Sequence, residues 1–318
     1  MGNENQNKAT ETASHIREPK KSMILSISVL VSAAVLSGAL VYTTDPRTVS
    51  TPQDASVVDS HTARVASREE EVLPSNGVLL PVTWGDLGAK LVSVGAIDAD
   101  AFMAVYSQRG EFSGEYKELL FGNTTGKMRV TKDNAGYLLN LLWALGLANK
   151  NPILENGEMA DPRYGGAGNF ASTGGWTIAR GDPMEHYSRH KFFALTDEEQ
   201  ALVRTVSRGI YRPCCGNSTH FPDCNHGMAM LGLLELMASQ GASEEEMYQA
   251  ALAVNSYWFP DTYLAIAQHF ENRGTNWSEV SAKEVLGSAY SSASGYQRIR
   301  AEIETPQIQD GGGGGCGV

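Results

Sequence analysis

Three thiols and two imidazoles fall within thirteen positions of this chain. The segment reads Cys214-Cys215-Gly-Asn-Ser-Thr-His220-Phe-Pro-Asp-Cys224-Asn-His226. Thiolate and imidazole together are donors for soft and borderline metals. Cys and His alone suit zinc, and added thioether donors shift the preference toward copper(I). Met228 and Met230 follow directly, and helical spacing places His226 and Met230 on one face. The spacing is not that of a zinc finger, which needs C-x-x-C, nor of haem attachment, which needs C-x-x-C-H. Cys214, Cys215, Cys224, His226 and His220 are therefore the expected metal ligands, with copper or zinc as the expected ion. Met230 is a weaker member of the set.

A second pair is His186-x-x-x-His190, preceded by Met184-Glu185. On a helix that spacing would present both rings on one face, a usable metal pair. It is not the H-E-x-x-H of the zinc proteases. A fourth thiol, Cys316, follows five glycines, Gly311 to Gly315, near the C-terminus. Such a tether would let it resolve a disulfide, hand over a metal or complete a coordination sphere. An inert terminal thiol is the plain alternative.

The same loop supports two other functions. Cys224 falls at an expected helix start, where the dipole favours a thiolate. Cys224 could then attack, with Cys214 or Cys215 resolving, as in thiol-disulfide exchange or thiol-nucleophile chemistry. Alternatively a bond from Cys214 or Cys215 to Cys224 would staple two helix ends in a non-enzymatic scaffold or binding module. Closing so short a loop stabilises by roughly 2 to 3 kcal/mol in the chain-entropy account. The metal-handling reading leads because a third thiol beside two histidines exceeds what a staple needs, and no carboxylate base and nucleophile stand together.

Helices must position these residues. Thr83 to Gly95 carries Trp84, Leu87, Leu91 and Val94 at helical spacing. Asp98 to Gln108, Phe112 to Phe121 and Thr131 to Lys150 follow, the last with a broad apolar face. Thr196-x-x-Glu199 and Ser243-x-x-Glu246 are capping boxes, and Pro260 opens a further helix. Another begins near Asn225, so the cysteine loop joins two helices. Ser278 to Gly287 and Gly295 to Glu304 read as shorter pieces. Strand-like alternation is nearly absent. The expected fold is all-α, an irregular orthogonal bundle. It is interrupted by a long Gly- and Pro-rich section, Asn151 to Phe193, of a length that is usually functional or mobile.

Met23 to Tyr42 is twenty residues without a charge. As a helix it would span a hydrocarbon core of roughly 30 Å. Arg17, Lys20 and Lys21 precede it, and only Arg47 follows closely. The positive-inside rule then places the N-terminus in the cytoplasm and the rest outside. Cleavage near Ser37-Gly38-Ala39 would instead give a secreted protein. The expected organisation is a polar tail (1–22), a signal-anchor helix (23–43), a flexible stalk (44–75), a helical extracytoplasmic domain (76–304) and a Gly-rich tail (305–318). The partners follow: the lipid bilayer through Met23–Tyr42, and a metal-donor or thiol protein. Lys and Arg number 25 against 36 Asp and Glu, a formal charge of -11, which argues against nucleic acid.

Overall fold

Two backbones pressed together at glycine organise the domain. The structure, a computed structural model, describes residues 52–303 except 109 and 111, with side chains from 62 onward. Helix α1 (Pro52–Val72) leads to strand β1 (Val78–Gly85), then α2 (Leu87–Val94), α3 (Ala99–Ser107) and α4 (Gly114–Phe121). Strand β2 (Thr124–Val130) precedes α5 (Ala135–Ala148) and the short α6 (Pro152–Asn156). After a long irregular section come α7 (Asp197–Gly209), α8 (Asn225–Ser239), α9 (Glu244–Trp258) and α10 (Pro260–Glu271). The short α11 (Ala282–Val285) and α12 (Ser288–Ser291) lead to α13 (Ala293–Glu302). The described chain is mostly helical, as its patterning implies.

Helices α5 and α8 are almost wholly buried, so neither needs an amphipathic stripe. They meet at Gly146 and Gly232. A Cβ on Gly146 would collide with the Met228 carbonyl oxygen, and one on Gly232 would lie 2.7 Å from the Gly146 nitrogen. Only hydrogen side chains permit that approach. The other helices pack around this pair, and their caps match the sequence signals. Thr196 and Ser243 form reciprocal capping boxes with Glu199 and Glu246, Asp98 accepts from the Ala101 N–H, and Pro260 opens α10.

Three expectations are corrected. The helix expected from Thr83 begins only at Leu87, because Leu80, Val82 and Trp84 alternate inward along β1. β1 pairs antiparallel with β2 to make a two-stranded sheet, with Val78 opposite Val130 and Gly85 opposite Thr124. Within the expected stalk, Pro52–Val72 is helical. Val72 is buried, and Arg68 donates to Glu271 Oε2 at 2.6 Å. Finally, His186 and His190 do not share a helix. His186 closes a single 3-10 turn (Pro183–Glu185), and His190 pairs in a parallel bridge with Asn149. The intervening Ser188 has a positive φ of 50°, which no α-helix accommodates.

The section from Asn151 to Phe193 is held by side chains rather than by regular elements. It contains α6 and four 3-10 turns. Trp143 donates its indole N–H to the Ser172 carbonyl at 2.7 Å, and Trp176 to that of Ala96 at 2.8 Å. No helix among the described residues is long and apolar enough to cross a membrane. The expected anchor Met23–Tyr42, the tails 1–22 and 305–318, and Cys316 lie outside the described residues.

Two stability tests follow. Gly232→Ala forces α5 and α8 apart and is expected to destabilise by about 3 kcal/mol or more, read by denaturant unfolding. The second concerns Glu235 on α8, which is fully buried and accepts from Asn149 Nδ2 at 2.8 Å. Burial pushes its pKa up to about 8, against hydrogen bonds from Asn149 and Asn151. The unfolded chain therefore holds fewer protons than the folded one between about pH 5 and 8, and stability falls as pH rises. Glu235→Gln should abolish this contribution. The difference between the two proteins should change by up to ~1.4 kcal/mol per pH unit across that window; parallel curves would show that the acid is not held neutral.

Candidate metal centre

The cysteine loop begins where α7 ends. Tyr211 N–H donates to the Leu286 carbonyl at 2.8 Å, and Thr219 N–H returns to that of Ile210 at 2.8 Å. The path thus doubles back, with Tyr211 bridged to Ser218. Gly216, at φ 79°, makes the turn, and its N–H donates to the Arg212 carbonyl at 2.9 Å. Asn217 Nδ2 donates to Asp223 Oδ2 at 2.8 Å and ties the two ends together. Cys224 then occupies the N-cap of α8.

This geometry gathers the thiols. Sγ of Cys214 lies 3.5 Å from that of Cys224 and 3.9 Å from that of Cys215, and Cys215 and Cys224 are 3.7 Å apart. All three are free. Their burial is graded: Cys214 is exposed, Cys215 half-buried and Cys224 buried. The ligand atoms of Cys214, Cys224 and His226 lie within 4.8 Å of one another, as do those of Cys215, Asp223 and Cys224. Four donors at about 2.3 Å around a tetrahedral zinc place neighbouring sulfurs about 3.8 Å apart. The observed triangle has that edge. His226 Nδ1 is buried and has no hydrogen-bond partner, and its ring packs against Phe259 with centroids 4.4 Å apart.

Arg212 supplies the positive charge. It is fully buried and donates from Nη2 to Asp223 Oδ1 at 2.6 Å, the Phe221 carbonyl at 3.0 Å and Cys215 Sγ at 3.2 Å. Its guanidinium lies over the first turn of α8, where a Cβ on Gly227 would stand 2.6 Å from Cζ. Burial works against its charge, but Cys224, Cys215, Asp223 and Cys214 outweigh this and hold its pKa up. Hydrogen bonds from Cys214 and Cys215 hold the Cys224 thiol well below its ordinary range, helped by Arg212 and the Gly227 N–H. The same sulfur contacts push Cys214 up. Burial, then Arg212, lowers His226 to about 4, so its ring is neutral at physiological pH. A thiolate and a neutral imidazole are the forms that bind metal.

The other expected ligands lie elsewhere. His220 Nδ1 is 2.8 Å from Glu158 Oε2, so the histidine fastens the loop to the irregular section. Met230 is buried in the hydrophobic core, about 9 Å along the helix axis from Cys224. His186 Nδ1 and His190 Nε2 stand 3.2 Å apart, and His186 Nε2 is 3.2 Å from the Arg180 carbonyl. This pair makes no cluster with a third metal-binding side chain among the described residues. The sequence offers Asp223 only as a cap for α8, a position that Cys224 takes, and offers Arg212 in no role. Their signal was proximity, since Arg212-Pro213 and Asp223 flank the cysteines. A cavity of about 720 Å³, lined by Glu71, Tyr248, Leu252, Trp277 and Lys283 among others, shares no residue with the thiols. Its one lysine already pairs with Glu244 at 2.7 Å.

Fold and site together define a mostly helical protein with a Cys/His cluster near enough to bind a metal ion. No family model, curated protein or solved structure matches the chain.

The electrostatics are open to test in the metal-free protein. One thiolate is expected at neutral pH, seen by its ultraviolet absorbance in a pH titration. Cys214→Ala removes the strongest donor to Cys224 and should move that titration upward; an unchanged midpoint would place the thiolate elsewhere.

Proposed function

We propose that this protein binds a borderline or soft metal ion, zinc or copper, through Cys214, Cys215, Cys224 and His226, and handles that ion outside the cytoplasm. The observation that carries the reading is the sulfur triangle with metal-site edges beside the buried His226 ring, whose Nδ1 has no hydrogen-bond partner. Such a nitrogen costs free energy comparable to a lost hydrogen bond, and coordination would recover it. Three thiolates around a divalent ion leave a net negative centre, and the buried Arg212 balances it. Asp223 and Asn217 orient the surroundings, as outer partners do in metal sites. Cys214 at the surface gives the ion a route in and out. That favours handling over a purely structural ion.

Attachment to the bilayer through Met23–Tyr42, with the domain outside, belongs to the same proposal. A metal-donor or thiol protein would be its partner. A thiol enzyme is the second reading, favoured by the depressed Cys224 thiol beside the resolving-distance Cys214.

The deciding experiment uses the full chain, purified under argon in detergent. Native mass spectrometry should find one equivalent of zinc or copper, absent from Cys224→Ser. Saturating metal should also raise Tm, with about 2.7 kcal/mol of added stability at a hundredfold excess over Kd. No metal and one unusually reactive thiol would replace this reading with the thiol enzyme. No metal and two fewer free thiols than cysteines would leave the stapled scaffold.

A further inference from the structure

The three thiols differ in exposure, and that difference gives the site a direction of reaction. We infer that the metal centre is a redox-released one: a two-electron oxidant such as a hydroperoxide joins Cys214 to Cys224 as a disulfide and expels the ion. This rests on the metal reading of the preceding section.

Three observations select this pair. Cys214 is the most exposed of the three cysteine residues, so an oxidant in solvent meets it first. Its nearest thiol is Cys224, at 3.5 Å against 3.9 Å for Cys215. Cys214 and Cys215 are also adjacent in sequence, where a disulfide is strained. The Cys214–Cys224 bond would cross-link a loop that already doubles back through the Tyr211–Ser218 bridge. Cys215 would be left as a thiol beside Arg212 Nη2 and Asp223 Oδ1, at 3.2 and 3.6 Å.

The chemistry balances. The Cys214 sulfur gives an electron pair to one oxygen of hydrogen peroxide; an S–O bond forms, the O–O bond breaks, and hydroxide leaves and is protonated to water. The Cys214 sulfenic acid is then attacked by the Cys224 sulfur; the S–S bond forms, the S–O bond breaks, and a second hydroxide leaves as water. Two thiolates have lost two electrons, the peroxide has gained two, and zinc, which has no redox chemistry, keeps its charge. Of the four donors only Cys215 and His226 remain. Two donors cannot hold an ion that needed four, so it is released. A dithiol reductant reverses the oxidation by exchange and restores the site.

The test uses the zinc-loaded full chain in detergent under argon, treated with equimolar hydrogen peroxide. Released zinc is followed with a chromophoric chelator, and disulfides are mapped by peptide mass spectrometry. Release of one equivalent is expected, in step with a Cys214–Cys224 disulfide, with rebinding after dithiothreitol. Cys214→Ser, if it still carries zinc, should release it about tenfold more slowly or worse; if it carries none, the disulfide map of the unmodified chain decides. Zinc retained after oxidation, or released with any other pairing, overturns the inference and leaves the metal reading intact. A chain that never takes up zinc or copper overturns both.

Discussion

The contact on which the rest depends is the backbone crossing of α5 and α8 at Gly146 and Gly232. At that separation nearly every residue of both helices is buried. Burial of two such apolar helices is the main source of favourable free energy in a domain of this kind. It also fixes the axial position of α8. The N-terminus of that helix carries Cys224 and His226, so the same contact that builds the core sets the depth of the Cys/His cluster. Its C-terminal half carries Glu235, whose hydrogen bond to Asn149 ties α8 to the end of α5.

Around that rigid frame, the cysteine loop is a problem of charge rather than of packing. A fully buried guanidinium is costly unless countered. Here it has Asp223 and a half-buried sulfur on Nη2, while Nε and Nη1 have no partner. The sulfurs add negative character on the side where Arg212 faces the start of α8. Removing Cys224 or Cys215 therefore changes the Arg212 environment as well as the ligand set. The two kinds of residue form one unit whose single substitutions should not add.

Much of this was legible in the chain. Helix starts carrying a capping box, at Thr196 and Ser243, appear where the pattern places them, because a cap is a local hydrogen bond that needs no tertiary partner. The loop between α7 and α8, and the gathering of its three thiols, followed from Pro213 and from sequence proximity. What failed was non-local. β1 carries Pro81 and ends at Gly85, so its alternation was too short to outweigh the helical spacing of Leu87, Leu91 and Val94, and its partner β2 lies some forty residues on. His220 has the composition of a ligand, but Glu158, remote in sequence, claims it. Met230 has the helical register of a ligand, but sits a turn and more too far into a core helix. Composition shows which atoms could coordinate; only the backbone path shows which ones converge.

That path has an energetic consequence. Cys214 and Cys215 leave the end of α7, whereas Cys224 and His226 open α8, so an ion held among them cross-links two helices as well as filling a site. Binding free energy at such a position becomes folding free energy of the loop, and it adds to the Asn217–Asp223 hydrogen bond that already joins the loop ends. A disulfide between Cys214 and Cys224 would make the same cross-link with a covalent bond. Exchange of one cross-link for the other would therefore change whether the ion is held without unfolding the helices that present it. A loop built only for stability would need one of the two. The presence of three sulfurs of unequal exposure, a neutral imidazole and a permanent buried cation fits a loop that can use both in turn.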